Sequence, residues 1–305
     1  MNQSSLHLTD KLTSAAVVLS VLLLVQCQDS RSIPYPATIR PVSFLIERVA
    51  GSRMSEAMVH PGRNPETYDP SVADLMLYRD CRALFFVAPA LDGWAANFQE
   101  CPSYAIVPEA IGVHHHGAHG AHGNSPGKVK GGENGISGSR NYVDPHFWTD
   151  PHRIEQALPR LQDLLISMEP GSAIRIRSEI RILAEQMRSL EEEAARRLVH
   201  LRGKRAVLMH PTYESFLAEH GIEVVAIVEP VPGKELSVKD WRNLLTLKPV
   251  DFIVHEKQLP IRQSRILARE LDATIVELDP MGSSARNLTE LLRNQLDAFA
   301  DLRVD

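Results

Sequence analysis

Apolar positions along this chain follow a strand-like and helix-like alternation in two blocks, separated by one long helical stripe. From Ser172 to about Leu201, the residues Ile176, Ile180, Leu183, Met187, Leu190, Ala194 and Leu198 step by 4, 3, 4, 3, 4 and 4. That spacing collects side chains on one face of a helix. No Pro or Gly interrupts the stripe until Gly203. At 1.5 Å per residue such a helix would run roughly 45 Å, longer than a small domain is wide, so it reads as a spine packing along both halves. About four heptads with no further repeat argue against a coiled coil.

The block before the spine predicts a helix over "TIRPVSFLIERVAG", stopped by Gly51. A short strand is expected at Glu56 to Val59, followed by the turn-rich loop "HPGRNPETYDP". Then come a helix ("SVADLMLYRDC"), a buried strand ("RALFFVAP"), a short helix ("LDGWAANFQ") and a strand ("YAIVP"). A further helix begins at the second "DP" of "DPHFWTDPHRIEQALPRLQDLLISM", with Ile154, Leu158, Leu161 and Leu165 as its apolar face. After the spine, strands at "RAVLM", "EVVAIV", "DFIVHE" and "TIVEL" alternate with four helices. Alternation of this kind implies a mainly parallel sheet covered on both faces. The predicted fold class is therefore α/β, with two lobes at 34–168 and 204–305 joined by a linking helix at 169–203.

The N-terminus reads as an export signal over residues 1–27. Lys11 precedes the apolar run Ala15 to Val25, which is too short to span a bilayer and suits a signal h-region. The run ends at "LLVQC", which resembles a lipoprotein box, although Gln26 stands where a small residue is expected. Two outcomes stay open: lipidation at Cys27, or plain secretion with Cys27 incidental. Apart from such an anchor, no membrane contact is expected.

Composition narrows the function classes. The chain of 305 residues is 44% hydrophobic and 23% charged, as in soluble globular proteins. A net charge of −5, with scattered Lys and Arg, leaves no nucleic-acid footprint. Beyond Cys27 there are Cys81 and Cys101, without CxxC spacing; a disulfide and a pair of buried thiols are both open. Of 13 histidines, five fall in "GVHHHGAHGAHG": His114, His115, His116, His119 and His122. Neutral imidazole is a common transition-metal ligand. The interleaved glycines, in an insertion spanning 112–140, deny these donors a fixed geometry. They suit weak metal collection, or a solubilising linker, and a specific site is expected elsewhere.

In open α/β sheets ligands gather at the C-terminal ends of strands. His210 directly follows "RAVLM" and Asp279 directly follows "TIVEL". In the first block, His60 and Glu66 lie in the "HPGRNPETYDP" loop and His146 lies in "VDPHFW". Each is a nitrogen or oxygen donor, contributed from both lobes, which is the kind of set a four-coordinate divalent metal requires. Taken singly, each also has a plain role as a cap, a core histidine or a solvated carboxylate.

In combination, "PGRNPETYDPSVADL", "DPHFWTDP", "HPTYESFLAEHGIEV" and "ELDPMG" occur in an order that resembles the zinc- and manganese-binding proteins of ABC-type importers, the cluster A-I periplasmic solute-binding family. The resemblance runs from about residue 37 to the end and includes "IVEPVPGKELSVKDW". It implies two α/β lobes on a rigid helical link, a metal between them, and a histidine-rich insertion in the first lobe. His146, His210 and Asp279 match the family's ligands, and a histidine at position 210 resembles the zinc members. Where the family usually reads "PHxYxP", this chain has "PETYDP", with Glu66 in the histidine's place. The implied set of Glu66, His146, His210 and Asp279 is harder than a three-histidine site and tolerates Mn2+ or Fe2+ beside Zn2+. His60, six residues upstream, is the alternative first ligand.

The resemblance thus implies a monomeric, non-enzymatic protein in the periplasm or at the cell surface. It would capture a divalent metal, zinc foremost, and deliver it to an ABC transporter permease. A rigid spine implies release by local movement of ligand loops. Rival readings on the same scaffold are a metal chaperone or an adhesin-like surface protein. A zinc hydrolase is disfavoured because no HExxH motif is present.

Overall fold

The structure, a computed structural model, describes residues 33–51, 53–60, 62–107, 144–229 and 237–304. The expected signal with Cys27, and the insertion with its five histidines, lie outside the described residues. Residues 33 onward form one compact unit.

The first half builds a small parallel sheet. Strands β1 (Leu84–Phe86) and β2 (Ser103–Ala105) pair in register, and Ala37 bridges both Phe85 and Ala57. The segment expected as a strand at Glu56 to Val59 makes only that bridge at Ala57. Backbone bonds from Met58 to Ala37 and from Val59 to Thr38 still hold it beside the sheet. Helix α1 (Arg40–Ala50) covers this sheet with Val42, Leu45, Ile46 and Val49 buried, and ends at Gly51, whose φ of 116° a side chain disfavours. Helix α2 (Val72–Tyr78) precedes β1 and helix α3 (Pro89–Asp92) follows it, and Ser71 with Asp74 forms a capping box at the start of α2. Cys81 and Cys101 are joined in a disulfide, their Cα atoms 5.7 Å apart.

Helix α4 (Pro151–Met168) begins where Asp150 accepts hydrogen bonds from the backbone of His152 and Arg153. The spine is α5 (Ala173–Arg197), after which the chain tightens into a 3-10 turn at Val199–Leu201. Its 25 residues give a length of about 37 Å, shorter than the pattern suggested because of that tightened last turn. Ile176, Ile180, Leu183, Met187 and Leu190 pack into the first core with residues of α1 and α4. Ala194 and Leu198 pack into the second core. One apolar stripe therefore serves both cores.

The second half is a four-stranded parallel sheet of order β4-β3-β5-β6: β3 (Arg205–Leu208), β4 (Glu223–Ile227), β5 (Phe252–Glu256) and β6 (Thr274–Leu278). Helices α6 (Glu214–Glu219), α7 (Val238–Leu245), α8 (Ile261–Leu271) and α9 (Leu288–Ala300) alternate with these strands. β5 is buried along its whole length, as a central parallel strand should be. Met281, Ala285, Leu288, Leu291 and Leu292 cross over to join the first core, so the halves share packing beyond the spine. Among the described residues, no helix is long and apolar enough to cross a membrane.

Candidate metal centre

The α/β order brings the C-terminal ends of strands from both halves to one cleft, and three of the expected donors meet there. Glu66, His146 and His210 each offer a ligand atom, all within 4.8 Å of one another. Glu66 Oε1 lies 3.1 Å from His210 Nε2 and 3.7 Å from His146 Nε2. The two imidazoles meet edge to face, with centroids 5.2 Å apart. Donors placed about 2.05 Å from a tetrahedral zinc would stand about 3.3 Å from one another. The two spacings from Glu66 to the histidines therefore bracket that of donors sharing a small cation.

Local structure explains each position. Glu66 sits in a 3-10 turn (Pro65–Thr67), where Asn64 Oδ1 accepts a hydrogen bond from the Glu66 backbone at 2.8 Å. Trp94 Nε1 donates to Pro65 O at 3.1 Å and pins the turn. His146 precedes another 3-10 turn (Phe147–Thr149) and is buried. Its Nδ1 lies 2.8 Å from Asp144 Oδ1, which leaves Nε2 to face the cleft. Asp144 is itself fixed by Arg153 Nη1 at 2.8 Å and by the Ser215 hydroxyl at 2.7 Å. His210 follows β3, and its Nδ1 lies 2.9 Å from Thr212 Oγ1, so its Nε2 also points at Glu66. Imidazole ligands are commonly oriented in this way through the other ring nitrogen.

The charges reinforce the arrangement. Burial opposes ionisation of Glu66, yet hydrogen bonding from His146 and His210 outweighs it and brings the carboxylate down to about 2. Burial likewise opposes a charge on His146, but Asp144 and Glu66 outweigh that and raise the imidazole to about 9. The cluster thus holds a proton that any cation bound there would have to displace. The cleft has a volume of about 40 Å³ and is walled by Trp148, Leu91, Pro280 and Met281. That is room for an ion or a few waters rather than an organic substrate.

The other expected donors are placed differently. His60 is exposed and stands outside the cluster. Asp279 follows β6, but its carboxylate accepts from Gln258 Nε2 at 2.8 Å and from the Ser283 backbone at 2.8 Å, with the Ser283 hydroxyl also bound to it. It is not one of the residues that wall the cleft. Glu256, at the end of β5, does line the cleft, buried and 3.8 Å from His210 Nδ1. Burial raises its pKa against the pull of His210 and Thr212. Because it stands on the Nδ1 side of His210, Glu256 backs the ring rather than facing Glu66.

Sequence reasoning missed Asp144, Thr212 and Glu256. Asp144, two residues before His146, had a usable signal: a carboxylate beside a candidate ligand is a frequent orienting group. Glu256 ends a strand as His210 and Asp279 follow theirs. Its position became readable once β5 was known to lie between β3 and β6.

Paired parallel sheets on one helical spine, with buried donors converging from both halves, define a metal-binding solute-binding protein. The chain belongs to the ZnuA family, described as "Zinc-uptake complex component A periplasmic", whose model matches residues 36–302. That family consists of metal-binding transport components, not enzymes. Among relatives, the "Zinc-binding protein AdcA" of Streptococcus pyogenes serotype M3 is 19% identical over 259 residues, covering 80% of this chain and 49% of AdcA. This chain therefore spans about half the length of that relative. A "Putative metal-binding protein" of Thermotoga maritima is 22% identical over 272 residues, covering 87% of this chain and 90% of its own. Among solved structures, the solute-binding protein FpvC of Pseudomonas aeruginosa in complex with Mn2+ shares the fold at a TM-score of 0.69. It is 21% identical, and the alignment covers 87% of this chain and 96% of FpvC.

Proposed function

We propose that this chain captures a divalent transition metal outside the cytoplasm, zinc foremost, and hands it to an ABC transporter permease. The observation that carries this reading is the convergence of Glu66 Oε1 with the Nε2 atoms of His146 and His210 in a cleft sized for an ion. On loading, both imidazoles bind as neutral ligands and Glu66 supplies an anionic oxygen. Asp279 completes the set by exchanging its Gln258 hydrogen bond for the cation. The carboxylates make the site harder than a three-histidine one, so Mn2+ and Fe2+ are bound as well.

Lobes at 34–168 and 204–305, with the link at 169–203, supply the two sides. Release follows local movement of the Glu66 turn rather than a large hinge, because one apolar stripe is shared by both cores. The histidine-rich segment collects metal weakly and raises its local concentration. Export is supported by the signal-like N-terminus and by the Cys81–Cys101 bond, which suits an oxidising compartment. Cys27 is the candidate lipid attachment point, and the working form is a monomer.

The test is direct titration of chelator-stripped protein with Zn2+ and with Mn2+, beside Glu66→Ala, Glu66→His and Asp279→Ala. One tight equivalent is expected in the parent, weakened in Glu66→Ala and Asp279→Ala, with Glu66→His favouring Zn2+ over Mn2+. Unchanged binding in Glu66→Ala would remove Glu66 from the site. Absence of any tight equivalent in the parent would end the transport reading.

A further inference from the structure

A second group of carboxylates, separate from the cleft, has no role in the metal capture described above. Asp150, Glu191 and Glu219 each place an oxygen within 4.8 Å of the others. They come from three different parts of the chain: the N-cap of α4, the spine α5, and the last residue of α6. Asp150 is fully buried. Its Oδ1 caps α4, but its Oδ2 is buried and has no hydrogen-bond partner among the described residues. Glu191 Oε2 is in the same condition. Nearby, the buried His220 has an unpartnered Nε2, 3.8 Å from Glu191 Oε1.

Leaving several buried polar atoms without a protein partner in one place is costly, and a bound ion is one of the explanations such a group calls for. Packing three carboxylates together adds like-charge repulsion. Burial, then the charges of Glu219 and Glu191, raise the Asp150 carboxyl to about 8. A divalent cation would meet the bare oxygens and take the place of the proton that Asp150 otherwise holds at neutral pH. Oxygen donors from carboxylates select hard cations. Glu219 is exposed, so the group opens to solvent through that residue.

We propose that Asp150, Glu191 and Glu219 form a second, weaker site for a hard divalent cation of the Ca2+ or Mn2+ kind, with His220 at its edge. The bound cation clasps α4, the spine and α6 together. Because α4 follows the His146 turn and α6 follows His210, the clasp holds both ligand-bearing segments from behind. Affinity in the range of extracellular Ca2+ modules is expected, with a Kd on the order of 0.1–1 mM.

The zinc-loaded full-length protein should be titrated with Ca2+ and, separately, Mn2+ by calorimetry, while thermal unfolding is followed. The parent is expected to take one further equivalent of at least one of these cations and to unfold at a higher temperature as a result. Glu191→Gln and Glu219→Gln should weaken that equivalent by about 10-fold or more while keeping zinc. Asp150→Asn, which preserves an N-cap side chain, should do the same. Two outcomes overturn the proposal: no further equivalent of either cation in the parent, or variants that bind it as the parent does. Absence of a tight zinc equivalent in the parent before either cation is added would instead count against the transport reading, so the two failures are distinguishable.

Discussion

The two sides of the metal cleft are built to different standards. His146 and His210 are buried, and each has its Nδ1 held by a residue that is itself held: Asp144 by Arg153 and Ser215, and Thr212 through its carbonyl, which accepts from the Thr149 hydroxyl. Glu66 sits in a short turn with no buried residue, secured by one bond to Asn64 and one from Trp94 to its neighbour. A preorganised imidazole pair gives affinity, because little reordering is needed when the metal arrives. On the proposed reading, a lightly held carboxylate would give reversibility, since the turn that carries it contributes no buried residue. The proposed function assigns holding to the first side and releasing to the second.

Removing the rigid side should have the largest effect. His146→Ala or His210→Ala is expected to weaken zinc binding on the order of 1000-fold, about 4 kcal/mol, in competition titrations against a chelator of known affinity. Truncating the lightly held side should cost less. Glu66→Ala is expected to lose about 100-fold and, in stopped-flow mixing with chelator, to release metal faster than the parent. If Glu66→Ala matched the histidine variants in loss, the proposed division between the sides would fail.

Support behind the ring comes next. Asp144→Asn should lower zinc affinity by about 10- to 100-fold, since it disturbs the orientation of His146 without touching the cation. The same change leaves the buried Arg153 without its carboxylate, so a lower unfolding temperature is expected alongside. Asp144→Asn that bound zinc as the parent does would show that the His146 ring needs no such backing.

A pH series sharpens the comparison further. His146 is raised to about 9 in the fold from 6.5, so its charge stabilises the metal-free protein below pH 6.5 and that contribution fades as pH rises through 9. Glu66 is lowered to about 2 from 4.5, so its contribution is present above pH 4.5 and is lost as pH falls through 2. The metal-free pair should therefore stabilise most between about pH 4.5 and 6.5. Zinc affinity should rise from pH 6.5 toward 9, as less proton must be displaced. Thermal unfolding and zinc titration across that range, in parent and Glu66→Gln, would show both trends, with the Glu66→Gln profile flatter. The smallest effect on affinity is expected from Cys81→Ser with Cys101→Ser. Opening that loop should cost about 3 kcal/mol of stability while zinc binding is nearly unchanged.

Much of this architecture was legible from residue order. The stripe from Ile176 to Leu198 forecast a helix serving both halves, and the cores confirm that use. The strand-end rule selected His210, which needed only the β3 boundary to be placed. Glu56 to Val59 misled because its apolar residues are strand-like, while pairing depends on Ala37, twenty residues away in sequence. Glu256 was hidden for a related reason. Which strand ends meet is set by sheet order, and order depends on long-range packing that no local pattern encodes. The partners of Asp279 were equally out of reach, since Gln258 approaches from the loop after a different strand.

Zinc K-edge absorption and anomalous diffraction on zinc-loaded crystals test the convergence of the two halves most directly. One strong peak is expected within bonding distance, about 2.0–2.2 Å, of His146 Nε2, His210 Nε2 and a Glu66 oxygen. A principal zinc bound elsewhere, with these three side chains still pairing among themselves, would contradict it.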